Sequence, residues 1–113
     1  MQFSTVVGQK KVIESLIQTI KDNRVSHAQL FIEQQGSGAL PLAIAYAQYL
    51  CCENRSDIDS CGTCPSCLKY QKLEHPDLHW FYPVNTNPRN PKPPVFSKDY
   101  TAEWRSFVSK TPY

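Results

Sequence analysis

The stretch His27-Ala28-Gln29-Leu30-Phe31-Ile32-Glu33-Gln34-Gln35-Gly36-Ser37-Gly38-Ala39-Leu40-Pro41, HAQLFIEQQGSGALP in one-letter code, decides how this chain is read. Its mostly apolar first half, residues 27–32, predicts a short buried strand. Gly36-Ser37-Gly38 then breaks the pattern, and residues 40–50 resume as an apolar helix. Pro41 suits the first turn of that helix, where its missing N–H costs no hydrogen bond. Strand, glycine loop, helix is the setting of a phosphate-binding loop, which follows G-x-x-x-x-G-K-[ST]. In such a loop backbone N–H groups cradle the phosphates, the lysine reaches the β- and γ-phosphates and the hydroxyl ligates Mg²⁺.

Here Gly38 stands at the final glycine, Ala39 at the lysine, Leu40 at the hydroxyl and Glu33 at the first glycine. One cation and one metal ligand are gone, and a carboxylate stands close to where phosphates would lie. Phosphoryl transfer needs developing charge neutralised, and these residues lack that capacity. Gly36, Ser37, Gly38, Ala39 and Leu40 therefore form a degenerate nucleotide loop. They argue against ATP hydrolysis and leave only weak binding through backbone amides open. The plain alternative, a tight strand-to-helix turn, stands on composition alone.

Outward from the loop, Val12, Ile13, Leu16, Ile17 and Ile20 form an i, i+3, i+4, i+7 stripe, predicting an amphipathic helix from about Gly8 to Asn23. Residues 65–73 predict a short helix that ends before His75-Pro76, because a residue preceding proline is pushed out of helical geometry. Residues 77–82 predict a second strand. Five of the nine prolines stand between Pro83 and Pro94, so residues 83–96 form an irregular Pro-rich loop. Residues 97–110 predict a last helix, with Tyr100, Trp104, Phe107 and Val108 on one face and Ser97 as its N-cap. The fold class expected is α/β: a parallel sheet with flanking helices. Two strands are too few for such a sheet, so the chain reads as the N-terminal part of a domain. An uncovered sheet edge would let that fragment pair with another copy.

With 113 residues and a formal net charge of +2, the chain fits one small domain and carries no charge signature of nucleic-acid binding. No apolar run approaches the roughly 20 residues that span a bilayer, and no secretory leader opens the sequence. Five cysteines, an odd number, fit a disulfide framework poorly and a metal site in a reducing cytoplasm well.

Cys52, Cys61, Cys64 and Cys67 follow C-x8-C-x2-C-x2-C inside a polar module at residues 51–74. Two-residue gaps let paired thiolates face one ion, and four thiolates around Zn²⁺ make a closed structural site. Cys51 continues the apolar helix and is assigned to packing, with a ligand role in place of Cys52 as the alternative. A [4Fe–4S] cluster also uses C-x2-C-x2-C, although the usual C-x3-C-P element is absent. Free or redox thiols are the remaining reading. His75 and His79 are assigned to packing.

Val7-Gly8-Gln9, His27–Phe31, Gly36-Ser37-Gly38, Cys52 with Cys61-Gly62-Thr63-Cys64-Pro65-Ser66-Cys67, and His75-Pro76-Asp77-Leu78-His79 occur here in one order. Together they resemble the delta-prime subunits of bacterial DNA polymerase III clamp loaders over about residues 3–82. The resemblance implies an AAA+ ATPase fold with a zinc module inserted after the loop helix. It also implies a non-hydrolysing stator subunit, not an enzyme by itself, within the polymerase III holoenzyme. Its implied partners are gamma/tau and delta subunits, with the sliding clamp and primed DNA met by the complex, in the cytoplasm. The arginine finger and C-terminal collar of that family would lie beyond Tyr113. In active relatives, residues like Val7-Gly8-Gln9 flank an adenine pocket; here a helix start is the preferred role. An ATP-hydrolysing gamma/tau-type subunit and a freestanding zinc-binding interaction module are the competing functions.

Overall fold

The computed structural model describes residues 1–86 and 95–113. Four α-helices order the chain: α1 (Lys10–Lys21), α2 (Ala39–Cys51), α3 (Pro65–Gln71) and α4 (Thr101–Lys110). Short 3-10 turns at Phe3–Thr5 and Ser97–Tyr100 precede α1 and α4.

Helix α2 is the hub. A helix apolar all round must be covered on more than one side. Leu42, Ala45, Tyr46 and Tyr49 face one cluster, completed by Ile17 of α1 and by Phe3 and Val6 of the N-terminal turn. Ile44 faces a second cluster with Leu73 and Val108, against which Leu78, Trp80 and Trp104 pack. Trp104 also stacks on Tyr82, with ring centroids 4.3 Å apart. The amphipathic α1 instead buries part of its stripe, with Ile13, Leu16 and Ile20 partly covered beside Ile17 and Val12 exposed.

The expected parallel sheet is corrected here: among the described residues there is no β-strand, so the chain is not a parallel-sheet α/β fold. Residues 27–32 open on a bend and residues 77–82 leave a turn, the rest of both being irregular, and no backbone hydrogen bond joins one to the other. Their side chains still alternate. Phe31 packs on the first cluster while Leu30 and Ile32 are 83% and 84% exposed. Leu78 and Trp80 pack inward while Phe81 is 89% exposed. A strand is a property of a pair, because its backbone groups need partners across a ladder. The apolar run at 27–32 reads as a buried strand, yet Leu30 and Ile32 are exposed, because an apolar run cannot by itself supply a partner across a ladder.

The last helix is also redrawn. Ser97 lies inside a 3-10 turn rather than capping α4. That turn is started by Phe96, whose N–H donates to Asp99 Oδ2 at 3.1 Å. Residues 87–94, most of the expected Pro-rich loop, lie outside the described residues.

Candidate metal centre and glycine loop

Helix α2 joins the two candidate sites, with the glycine loop at its N-terminus and the cysteines at its C-terminus. Cys52 is the C-cap of α2, where the backbone turns from helical to extended. The chain then leaves through a polar turn in which Ser56 N–H donates to the Asp59 carbonyl at 2.9 Å. It returns at Cys61 and reverses at Gly62, φ +73°, where an added Cβ would lie 2.9 Å from Gln2 Oε1. Cys64 caps α3 through its sulfur, which accepts the Cys67 N–H at 3.4 Å, and Pro65 fills the first helical turn.

Two more backbone donors aim at sulfur: Cys61 N–H at Cys52 Sγ and Cys64 N–H at Cys61 Sγ, each 3.3 Å. Such donors favour thiolates. The Cys61 thiol is drawn down to about 6, chiefly by the backbone N–H groups of Thr63 and Cys64. Cys64 is also lowered, first by the Cys67 N–H. Burial pushes Cys67 up to about 12 and raises Cys52. The structure brings Cys52, Cys61, Cys64 and Cys67 together, with one sulfur of each within 4.8 Å of the others. All five cysteines are free thiols. Cys51 lies elsewhere, with Sγ 3.3 Å from the Tyr70 hydroxyl. His75 stacks on Tyr70 and meets Ser66 Oγ through Nε2 at 3.1 Å, a packing position.

The donor set fits a tetrahedral ion. Zn–S bonds of about 2.3 Å give sulfur–sulfur edges of about 3.8 Å. The Cys61 and Cys67 sulfurs stand 3.9 Å apart. With all four thiolates coordinated, a metal would have no open position, so its chemistry would be cross-linking rather than catalysis.

At the other end of α2, Gly36 and Gly38 adopt φ +82° and +95°, the left-handed region that favours glycine. Gly38 is buried, and an added Cβ would meet the Tyr113 ring at 3.1 Å. Ala39 N–H, the first amide of α2, donates to Glu33 Oε2 at 2.5 Å. Ser37 Oγ donates to the same oxygen at 3.3 Å. Gln9 Nε2 donates to the Ser37 carbonyl at 3.1 Å and ties the start of α1 to the loop. Leu40 turns inward and packs on the second cluster. A cavity of about 270 Å³ adjoins the loop, lined by Gln9, Val12, Leu16, Phe31, Ala39 and Leu42 among others.

The chain, including the segment that carries both sites, resembles known proteins. The family model described as DNA polymerase III, delta subunit, matches residues 8–113. This chain belongs to that clamp-loader family. It is 36% identical over 76 residues to DNA polymerase III subunit tau/gamma of Haemophilus influenzae, covering 67% of this chain and 11% of that protein. It is 34% identical over 76 residues to DNA polymerase III subunit delta' of Bacillus subtilis, covering 66% of this chain and 22% of that protein. Protein STICHEL-like 1 of Arabidopsis thaliana is 32% identical over 79 residues, covering 69% of this chain and 7% of that protein. The matched region is thus a small part of each relative. No solved structure matches. Among the described residues no helix is long and apolar enough to cross a membrane.

Sequence reasoning missed three contributors. Gln48, Asp59 and Tyr113 hold the two sites in place. Only Gln48 left a signal, as a polar residue inside an apolar helix.

Proposed function

We propose that this clamp-loader family member is a non-hydrolysing, delta-prime-like subunit whose loop has lost its motor chemistry. One observation carries the reading: Glu33 occupies the first amide of α2, next to Ala39 and Leu40 where a working loop has lysine and a hydroxyl. A phosphate approaching that amide meets a carboxylate already bonded to it and no cation to offset the repulsion. Gly36, Ser37, Gly38, Ala39 and Leu40 then serve as structural turn and helix start, and ATP is neither substrate nor cofactor.

In this reading the protein is not an enzyme alone and acts within the polymerase III holoenzyme in the cytoplasm. Its partners are gamma/tau and delta subunits, and the assembled complex meets the sliding clamp and primed DNA. The four-cysteine cluster holds a structural zinc ion. The experiment is reconstitution: the protein mixed with gamma/tau and delta subunits should co-elute with them and support clamp loading that depends on the partners' ATPase sites. Failure to co-elute, or loading that needs an intact nucleotide site in this subunit, would overturn the reading.

A further inference from the structure

The four sulfurs do not sit on an independent knuckle; the segment that delivers Cys61 is gripped by the N-terminal turn. Asp59 Oδ1 accepts the Phe3 N–H at 3.0 Å, and Oδ2 accepts the Ser4 N–H at 3.0 Å. The same carboxylate accepts the Ser60 N–H through Oδ1 at 2.8 Å. Three backbone donors from two distant parts of the chain thus converge on one side chain. Gln2 Nε2 adds a bond to the Ser60 carbonyl at 2.7 Å. From the other side, Gln48 Nε2 donates to Ser60 Oγ at 3.0 Å. Gln48 is fully buried and Ser60 is 4% exposed, so in the Gln48–Ser60 bond a lost partner leaves a desolvated polar group. The next residue is Cys61, whose N–H points at Cys52 Sγ and whose sulfur accepts from Cys64 N–H.

We infer that Asp59 and Gln48 are positioning residues for the metal centre, and that metal occupancy and docking of the Phe3–Thr5 turn support one another. The inference rests on the proposed metal reading of the cysteines. Neither residue is hydrogen-bonded to a sulfur; Asp59 accepts the Ser60 N–H and Gln48 holds the Ser60 hydroxyl, so together they fix the residue that leads into Cys61. Partners that orient metal ligands characteristically contribute 10–100-fold in metal affinity. Because the coupling is thermodynamic it runs both ways: what holds Cys61 for the metal must also hold the turn once the metal is bound. Through Phe3 and Val6 the turn is part of the first core cluster, so the coupling reaches α1 and α2.

The test loads the 113-residue chain with Co²⁺, then displaces it with Zn²⁺ against a competing chelator. Asp59→Asn should bind about 10–100-fold more weakly than the parent while keeping its four-thiolate visible spectrum. Asp57→Asn is the charge control, since Asp57 is 91% exposed and pairs only with Lys21 at 3.4 Å among the described ion pairs. It should stay within about twofold. On the unmutated chain, stripping the metal should speed amide exchange at Phe3 and Ser4 about tenfold or more, a readout independent of how any variant folds. The inference is overturned by an Asp59→Asn affinity matching the parent, by an equal loss in Asp57→Asn, or by exchange at Phe3 and Ser4 that ignores the metal. A parent chain that takes up neither cobalt nor zinc overturns the underlying metal reading instead, and is told apart by that first measurement.

Discussion

The Glu33 carboxylate accepts the Ala39 backbone N–H at 2.5 Å, so the first amide of α2 is bonded to an acidic side chain of its own chain. An N-terminal amide of a helix has no intrahelical acceptor, and an anion there is stabilised by both hydrogen bonding and the helix dipole. Glu33→Ala should therefore destabilise the protein by about 1 kcal/mol. Thermal denaturation at low salt checks this. An unchanged midpoint would mean that water replaces the carboxylate without loss.

Gly38 has a second constraint besides its left-handed backbone, because the Tyr113 ring covers it. The Tyr113 hydroxyl is itself held by the Val7 N–H at 2.9 Å, so the ring cannot swing away freely. Gly38→Ala should cost about 1–3 kcal/mol. Gly36→Ala has the same backbone problem, but nothing lies within 4 Å of its added Cβ. It should cost less, and chemical denaturation of the two variants side by side tests the ranking.

Much of this was legible in the sequence, and the part that was not has a physical reason. The stripe from Val12 to Ile20 set α1, and the run from Leu40 to Leu50, apolar but for Gln48, set α2, because helical patterning is local information. The four cysteines picked out by spacing do stand together and Cys51 stands apart, because Cys51 ends the apolar helix while Cys52 caps it. Residues 27–32 and 77–82 misled because an apolar run is local information, whereas a strand requires a distant partner to pair with. Asp59 was invisible for the same reason. It sits in an ordinary polar run, and its partner Phe3 is 56 residues away along the chain.

Cysteine substitutions separate ligand from packing residue. In zinc-containing buffer Cys64→Ser should lower the melting temperature far more than Cys51→Ser, because it removes both a sulfur of the cluster and the α3 cap. Cys51 offers only a contact with the Tyr70 hydroxyl. Equal shifts would mean that the wrong member of the Cys51–Cys52 pair has been assigned. Elemental analysis of protein purified without added metal should find zinc and not iron.

Metal affinity should climb with pH across the neutral range. Binding requires thiolates, so each protonated sulfur must release its proton when the ion enters. Cys61, drawn down to about 6, is already largely deprotonated at pH 7, whereas burial holds Cys67 up at about 12. Proton competition at the buried sulfurs therefore persists well above pH 6. Chelator competition at intervals from pH 6 to 9 should show affinity rising throughout. A plateau reached just above pH 6 would contradict this picture of the cluster.

Whether the loop at Gly36–Leu40 is a disabled motor is measured directly by equilibrium titration with Mg-ATP, followed by phosphate release on the same sample. The prediction is no saturable binding up to millimolar nucleotide and no turnover above the buffer blank. Micromolar affinity accompanied by phosphate release would contradict it and make this an ATP-hydrolysing subunit of the gamma/tau type.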